Sequence, residues 1–162
     1  MANIAEQIVD MLVKAGVKRI YAVTGDSLNK INDAVRKDGR IQWIHVRHEE
    51  TGAFAAGAEA QLHGDLACCA GSSGLYDAHR SGAPVLAIAS TIISGEFGTT
   101  YFQETGTIRL FDDCSYYNQL ATTPGQLPRM LQGAIQTALS RRGVSVIGIP
   151  GDLTGESQVN IP

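Results

Sequence analysis

The sequence predicts an α/β domain of three layers, in which helices cover both faces of a mostly parallel sheet of about six strands. Short β-prone runs alternate with helical segments along the whole chain, and this alternation favours parallel pairing through right-handed crossovers. The length of 162 residues suits one domain with a substantial core and is short for two. We therefore expect a single compact unit.

The N-terminal part predicts a helix followed by a strand–loop–helix unit. Apolar residues recur at helical spacing over residues 4–15, and Gly16 follows as a helix stop. The β-prone run 17–24 leads into a turn, and residues 28–39 are predicted to form the second helix.

The same alternation continues to the end of the chain. Further strands are predicted at 41–46, 65–70, 84–90, 117–121 and 144–149. Further helices are predicted at about 49–63, 75–81 and 124–143, and residues 91–107, rich in Gly, Thr and Ser, are predicted to form a loop.

Composition and charge disfavour several classes of function. Hydrophobic residues make up 44% and charged residues 18% of the chain, which is typical of a globular protein. The net charge of -3 gives no reason to expect nucleic-acid binding or contact with an anionic membrane. No apolar run approaches the roughly 20 residues that span a bilayer, and the first residues lack the pattern of a signal peptide. We expect a cytoplasmic protein.

The three cysteines, Cys68, Cys69 and Cys114, are predicted to be buried free thiols. Cys68 and Cys69 are adjacent in a predicted strand, so their side chains should point to opposite faces of the sheet. The chain has neither a CxxC pair nor a His/Cys cluster at zinc spacing, and we expect no metal site held by this chain alone.

The loops that follow the predicted strands are the places to look for a ligand site, because parallel sheets bind ligands at the carboxyl ends of their strands. These loops begin near Thr24, Arg47, Gly71, Thr91 and Pro150.

Glu49 and Glu50 follow the second predicted strand and begin an Ala-rich helix. In one interpretation both carboxylates complement the positive end of the helix dipole, by roughly 0.3–1 kcal/mol. In the other, one of them enters a patch formed by Ala, Gly and Phe54, where desolvation would let it hold or share a proton near neutrality.

The helix at 49–63 is almost devoid of large side chains, and its glycines each cost about 1 kcal/mol of helix stability relative to Ala. Such a surface suggests that another element approaches closely, either the sheet of the same chain or a second subunit.

Two loops leave their roles open. The segment VTGDSLN lacks the glycine patterns of phosphate-binding loops, so it is either a weak phosphate site or a turn in which Asp26 or Ser27 caps the next helix. The aromatic segment 99–105 either lines a small-molecule pocket or folds back over the core.

Five segments, in their order and spacing, resemble the N-terminal, pyrimidine-binding domain of thiamine-diphosphate-dependent enzymes. They are AGVKRIYAVTGDSLN, RHEETGAFAAGAEAQL, APVLAIAS, TTYFQET and GVSVIGIPGDL. The resemblance covers essentially the whole chain and is closest to the pyruvate oxidases and quinone-dependent pyruvate dehydrogenases.

The resemblance implies a division of roles between the two acids. Glu49 would accept a hydrogen bond from N1′ of the cofactor's aminopyrimidine, and Glu50 would be an ordinary acid at the start of a helix. Thr24, Gly25 and Asp26 fall where relatives line the pyrimidine pocket.

The resemblance also implies roles in two later loops. Ser72 and Ser73 lie in the segment that contacts the cofactor in relatives. Phe102 and Gln103 match a Phe-Gln pair that faces the reacting carbon in pyruvate oxidases, so Glu49, Phe102 and Gln103 are the expected catalytic residues.

The chain departs from the family pattern in its third strand-terminal loop. Relatives carry Gly-Ser-x-Gly-Pro-Gly and further helical residues before Gly-Leu-Tyr/Phe-Asp, whereas here GSSG at 71–74 runs directly into LYDAHR at 75–80. Either the loop is shortened, or the numbered sequence omits a segment.

The family's Gly-Asp-Gly…Asn motif for Mg²⁺ and its FAD-binding middle domain have no counterpart in this sequence. We therefore expect residues 1–155 to form the pyrimidine-binding domain and residues 156–162 to begin a linker to downstream domains. Those domains would hold Mg²⁺ and FAD, and a second identical subunit would complete the site.

The function implied by the resemblance is oxidative decarboxylation of pyruvate with thiamine diphosphate, by an enzyme of which this chain is one part. The isolated domain should be inactive, and the complete enzyme could lie peripherally at a membrane. The alternatives are a non-oxidative relative, such as acetolactate synthase or a 2-oxo acid decarboxylase, and a non-catalytic scaffold with the same fold.

Overall fold

The computed structural model describes residues 2–70 and 74–159. In chain order, the strands are β1 (Arg19–Ala22), β2 (Gln42–His45), β3 (Ala67–Ala70), β4 (Val85–Thr91), β5 (Tyr117–Leu120) and β6 (Val144–Pro150). The helices are α1 (Ile4–Lys14), α2 (Asn29–Asp38), α3 (Glu49–His63), α4 (Leu75–Arg80), α5 (Thr107–Leu110) and α6 (Leu127–Arg141). Short 3-10 helices occupy Asp26–Leu28, Ser94–Glu96, Pro124–Gln126 and Leu153–Gly155. Within the described residues, no helix has the length and apolar character needed to cross a membrane.

The strands form one sheet in the order β2-β1-β3-β4-β6-β5, and every neighbouring pair is parallel. The longest pairing joins β4 to β6, in register from Val85 opposite Val144 to Thr91 opposite Pro150. Every residue of β6 is buried, as expected for a strand that is covered on both faces. The predicted three-layer α/β/α fold with six parallel strands is confirmed.

Each face of the sheet has its own apolar core. Helices α1, α2 and α6 pack on one face, where they meet Ile20, Leu86 and Ile147 of the sheet. Helices α3 and α4 pack on the other face, against Ala87 and Val146 among others. The side chains that α3 buries in this second core are all alanine: Ala53, Ala56 and Ala60.

The adjacent cysteines of β3 point into different cores, as predicted: Cys68 into the first and Cys69 into the second. Cys68, Cys69 and Cys114 are all buried and free. Burial raises the pKa of the Cys69 thiol to about 12, and burial, with Cys69 beside it, raises the pKa of Cys68 well above its usual value. These two thiols therefore stay protonated and unreactive near neutral pH.

Caps define the helix ends. The side chain of Asn3 accepts the backbone N–H of Glu6 at 2.9 Å, and the Glu6 carboxylate accepts the backbone N–H of Asn3 at 3.1 Å, which forms a capping box for α1. Helices α2 and α3 end before Gly39 and Gly64, whose backbones are left-handed with φ of 74° and 77°.

The structure differs from the sequence prediction at some boundaries. Strand β1 starts at Arg19 instead of residue 17, because the backbone N–H of Val17 donates to the carbonyl of Leu12 at 3.0 Å and extends the end of α1. The short helix α5 begins at Thr107, the last residue of the predicted loop 91–107, and was not predicted.

The two ends of the described chain lie side by side. Asn3 and Ser157 form an isolated antiparallel bridge. The Gln7 amide donates to the carbonyl of Val159 at 2.7 Å and accepts the N–H of Val159 at 3.2 Å. The chain thus stays against α1 up to Val159, while the position at which a linker begins remains a prediction.

Candidate functional site

The candidate site lies at the carboxyl edge of the sheet, beside β1. The chain leaves β1 and runs through α2 to β2, which lies on one side of β1. It leaves β3 and runs through α4 to β4, and both of these strands lie on the other side of β1. Because α2 and α4 lie on opposite faces, the loops that follow β1 and β3 diverge here. Such a point leaves a crevice where parallel sheets bind ligands.

The loop after β1 exposes Thr24, Gly25 and Asp26 at this edge. The backbone N–H of Leu28 donates to the Gly25 carbonyl at 2.9 Å and closes the first turn. Neither Asp26 nor Ser27 caps a helix with its side chain, because the 3-10 turn continues directly into α2 and Leu28 occupies its cap position. The capping interpretation is therefore wrong. Over residues 2–70 and 74–159, the Asp26 carboxylate makes no hydrogen bond.

Glu49 is the first residue of α3, and its side chain is exposed. His48 caps the helix, with its Nδ1 atom accepting the backbone N–H of Glu50 at 3.2 Å. No hydrogen bond or ion pair within the described part of the chain involves the Glu49 carboxylate. Phe54 is itself 48% exposed, so within the described residues the predicted patch of Ala, Gly and Phe54 does not bury Glu49.

Glu50 is half-buried and therefore the more enclosed of the two acids. The cause is the start of α4, which lies directly against the first turn of α3. A Cβ atom on Gly74 would come within 2.9 Å of the Glu50 carbonyl oxygen and 3.1 Å of Ala53 Cβ. Only glycine lets the two helices meet at this distance.

The small residues of α3 serve packing within the chain. A Cβ on Gly52 would lie 3.1 Å from the carbonyl oxygen of Tyr21 in β1. A Cβ on Gly57 would lie 3.2 Å from Ala78 Cβ in α4. Of the two explanations for the bare helix, close packing against its own sheet and helices is thus supported at these glycines. The first turn of α3, which carries Glu49, is held against the end of β1.

Phe102 and Gln103 lie in the exposed loop that follows β4. Phe102 is 79% exposed and Tyr101 50% exposed, so the aromatic residues do not fold back over the core and that interpretation is wrong. Within the described residues, no hydrogen bond joins Phe102 or Gln103 to Glu49, and all three side chains are exposed.

Ser72 and Ser73 lie outside the described residues. The described segment resumes at Gly74, and α4 has only the six residues Leu75–Arg80. Over residues 2–70 and 74–159, no three His, Cys, Asp or Glu side chains come together as a group that could hold a metal ion.

Asp152, in the loop after β6, makes a contact that the sequence analysis missed. Its Oδ1 accepts the backbone N–H of Ser94 at 2.9 Å, and its Oδ2 accepts the Ser94 hydroxyl at 2.6 Å. Burial alone would raise the pKa of this carboxyl, but the hydrogen bonds from Ser94, together with those from the backbone of Asp152 and Leu153, outweigh it and hold the pKa below its usual value.

A second contact ties the loop after β1 to the same region. The Ser90 hydroxyl donates to the carbonyl of Ser27 at 2.8 Å, and a Cβ on Gly151 would lie 3.1 Å from Ser27 Cα. The loops that follow β1, β4 and β6 are therefore fastened to one another. The position of Gly151 and Asp152 directly after a predicted strand was the available signal.

Comparison with known proteins shows one family. Residues 2–110, more than half of the chain, match the family described as thiamine pyrophosphate enzyme, N-terminal TPP binding domain. An uncharacterized 42.6 kDa protein of Pseudomonas amyloderamosa is 55% identical over 164 aligned positions, which cover 94% of this chain and 41% of that protein. The alignment has more positions than this chain has residues, so that relative carries residues that this chain lacks.

Two further relatives have named activities. Pyruvate oxidase of Lactiplantibacillus plantarum is 38% identical over 161 positions, which cover 90% of this chain and 26% of that protein. Acetolactate synthase 3 of Brassica napus is 29% identical over 168 positions, which cover 98% of this chain and 26% of that protein. The chain thus spans less than half the length of each of these relatives.

Proposed function

We propose that this chain, which belongs to the thiamine pyrophosphate enzymes as an N-terminal TPP-binding domain, forms the aminopyrimidine half of a thiamine diphosphate site in an enzyme that decarboxylates pyruvate oxidatively. The observation that carries the proposal is the position of Glu49. Its carboxylate stands exposed at the carboxyl edge of the sheet, on a helix turn that Gly52 and Gly74 hold in place.

The donors and acceptors at this edge suit an aminopyrimidine better than a diphosphate. Glu49 and Asp26 offer carboxylate oxygens, which accept hydrogen bonds from ring N–H and amino groups. A diphosphate calls for cations, a metal ion or a row of backbone N–H groups. Since the described residues bring no metal ligands together, we propose that Mg²⁺, the diphosphate and FAD are held by other domains.

Glu49 would hold the aminopyrimidine by accepting a hydrogen bond from N1′ and would stabilise a proton at that atom. Thr24, Gly25 and Asp26 would line the same ring from the neighbouring loop. When bound, thiamine diphosphate supplies an electron sink for the loss of CO₂ from a 2-oxo acid.

Tuning of the Glu49 carboxylate requires exclusion of water, which this chain alone does not provide. Glu49 and Phe54 are both exposed, so a covering surface from a downstream domain or a second copy of the chain must close the site. We propose that this requirement leaves the isolated domain inactive.

The substrate is proposed from the loop at 97–106 and from the relatives. Phe102 and Gln103 project from the carboxyl edge, with an aromatic face and an amide that suit a small 2-oxo acid. The oxidative reaction is favoured because identity to the named pyruvate oxidase, 38%, exceeds identity to the named acetolactate synthase, 29%. Flavin absorbance and dependence on an electron acceptor would separate these reactions in the complete protein.

The test compares Glu49→Gln with Glu50→Gln in the protein joined to its downstream domains. Both acids complement the same helix dipole, so a dipole effect would change both variants alike. The readouts are exchange of the cofactor C2 proton for deuterium, followed by NMR, and CO₂ release from pyruvate.

We expect Glu49→Gln to slow both readouts by about 100-fold or more, with an unchanged melting temperature and far smaller losses in Glu50→Gln. Near-normal proton exchange in Glu49→Gln would remove the proposed role. A complete protein that binds no thiamine diphosphate at all would favour the scaffold alternative.

A further inference from the structure

A single carboxylate organises the loop at 97–106. The Oε1 atom of Glu104 accepts the backbone N–H of Gly98 at 2.6 Å, and its Oε2 accepts the backbone N–H of Thr100 at 2.9 Å. The backbone N–H of Glu104 donates to the carbonyl of Tyr101 at 2.9 Å and closes a turn. Glu104 therefore bonds to three points of the loop.

The two central residues of this turn are Phe102 and Gln103, and the backbone of the loop is strained around them. Gln103 has a φ of 64° and Thr100 a φ of 61°, in the left-handed region that favours glycine. A side chain there costs on the order of 1 kcal/mol or more, and the third position of such a turn is commonly glycine. The chain keeps a glutamine where glycine would relax the backbone, which points to a use for that side chain.

The start of the same loop is fixed independently. Ser94 donates two hydrogen bonds to the Asp152 carboxylate, one from its backbone N–H and one from its hydroxyl. The loop is thus held at its root by Asp152 and around its tip by Glu104. Nothing else within the described residues covers Phe102, which is 79% exposed.

We propose that Glu104 is a positioning residue, which holds the turn so that Phe102 and Gln103 face a bound 2-oxo acid. Hydrogen bonds from two backbone N–H groups to a carboxylate are charge-assisted, and they offset the cost of the left-handed residues. Glu104 acts through the loop and does not itself contact the substrate. This inference rests on the proposed function.

The first test measures whether Glu104 holds the loop. In Glu104→Gln the side chain keeps only one acceptor oxygen, so Gly98 or Thr100 loses its partner. In the complete protein, hydrogen–deuterium exchange of peptides that cover 97–106 should become about tenfold faster. The control is Glu96→Gln, at the residue just before the loop. The only side-chain hydrogen bond that the described residues make to the Glu96 carboxylate comes from the Thr99 hydroxyl at 3.3 Å.

The second test separates positioning from general stability. Glu104→Gln should lower kcat/KM for pyruvate by about tenfold or more, while the Kd for thiamine diphosphate stays unchanged. The melting temperature should fall only slightly, because the lost hydrogen bond lies within an exposed loop. Gln103→Gly should leave the melting temperature unchanged or raise it, because the backbone strain is relieved, and should still lower kcat/KM.

The outcomes are distinguishable from failure of the proposed function. If Glu49→Gln abolishes turnover while Glu104→Gln leaves kcat/KM or loop exchange as in the Glu96→Gln control, the positioning role of Glu104 is overturned alone. If Glu49→Gln is fully active, the proposed function fails, and the substrate-positioning role of Glu104 fails with it. The exchange result then reports only on the structure of the loop.

Discussion

Arg19 in β1 and Glu59 in α3 form an ion pair that joins the two elements, with Nη1 of Arg19 2.6 Å from Oε1 of Glu59. The Glu59 side chain is only 14% exposed, and its other oxygen, Oε2, is buried without a hydrogen-bond partner among the described residues. Burial and the nearby Glu59 charge raise the pKa of Tyr21. The helix that carries Glu49 is thus tied to the strand that precedes the crevice by one charged contact.

Removing one partner of this pair should destabilise the fold more than removing both. Arg19→Met leaves a largely buried carboxylate unpaired, so we expect the free energy of unfolding to fall by about 1–3 kcal/mol in urea titrations. The double variant Arg19→Met, Glu59→Met leaves no unpaired charge and should recover part of that loss. A double variant whose loss equals the sum of the single losses would show that the two side chains are not coupled.

Gly74 should tolerate no larger residue, because it sets the distance between α3 and α4. In Gly74→Ala the new Cβ would lie 2.9 Å from the backbone oxygen of Glu50, and neither helix backbone can move aside cheaply. We expect a loss of about 1–3 kcal/mol in the free energy of unfolding. The matched control is Gly125→Ala, where the Cβ would meet no atom within 4 Å. A change in the control of less than about 0.5 kcal/mol is expected, and equal effects at both positions would contradict the close helix contact.

His79 should make the protein less stable as the pH falls. Burial, with Arg80 and Arg141 nearby, lowers the pKa of His79, although Asp113 opposes this shift. The centroid of its ring lies 4.4 Å from the centroid of the Tyr116 ring. Because the folded-state pKa lies below the usual 6.5, the unfolded chain takes up the proton first. The free energy of unfolding therefore decreases as the pH falls below about 6.5, until the folded protein is protonated as well.

Unfolding by urea at about pH 7.5 and about pH 5.5 measures this dependence. In His79→Gln the decrease between the two conditions should be smaller than in the unmodified protein. His45→Gln, at an exposed residue of the edge strand β2, is the control and should keep the original decrease. An unchanged decrease in His79→Gln would mean that other groups cause it.

The sequence was sufficient for the layers of the fold because they depend on local patterns. Helical spacing of apolar residues and β-prone runs gave all six strands and five of the six α-helices within the described residues. The boundaries were less accurate because they depend on specific contacts, such as the hydrogen bond from Val17 to the carbonyl of Leu12 that shortens β1. The short helix α5 carries too few residues for a periodic signal.

The position of the candidate site could be predicted from the sequence, but the burial and the contacts of its side chains could not. Glu49 lies at the start of α3 and at the carboxyl edge, as its place in the sequence indicates. The relative burial of Glu49 and Glu50 depends on how α4 meets α3 through Gly74, which no local pattern encodes. The contact between Ser94 and Asp152 joins residues 58 apart in sequence and needs the strand order to be known.

The bridge between Asn3 and Ser157 means that the described part of the polypeptide, from residue 2 to residue 159, nearly closes into a ring. Joining Ala2 to Val159 through a few glycines would therefore add little loop-closure entropy, and new termini could be opened in an exposed turn such as Thr122–Thr123. A circular permutant of this kind would keep every strand neighbour while changing the order in which the segments leave the ribosome. For this domain, the strand neighbours in the sheet can therefore be kept while the order in which the strands are synthesised is changed.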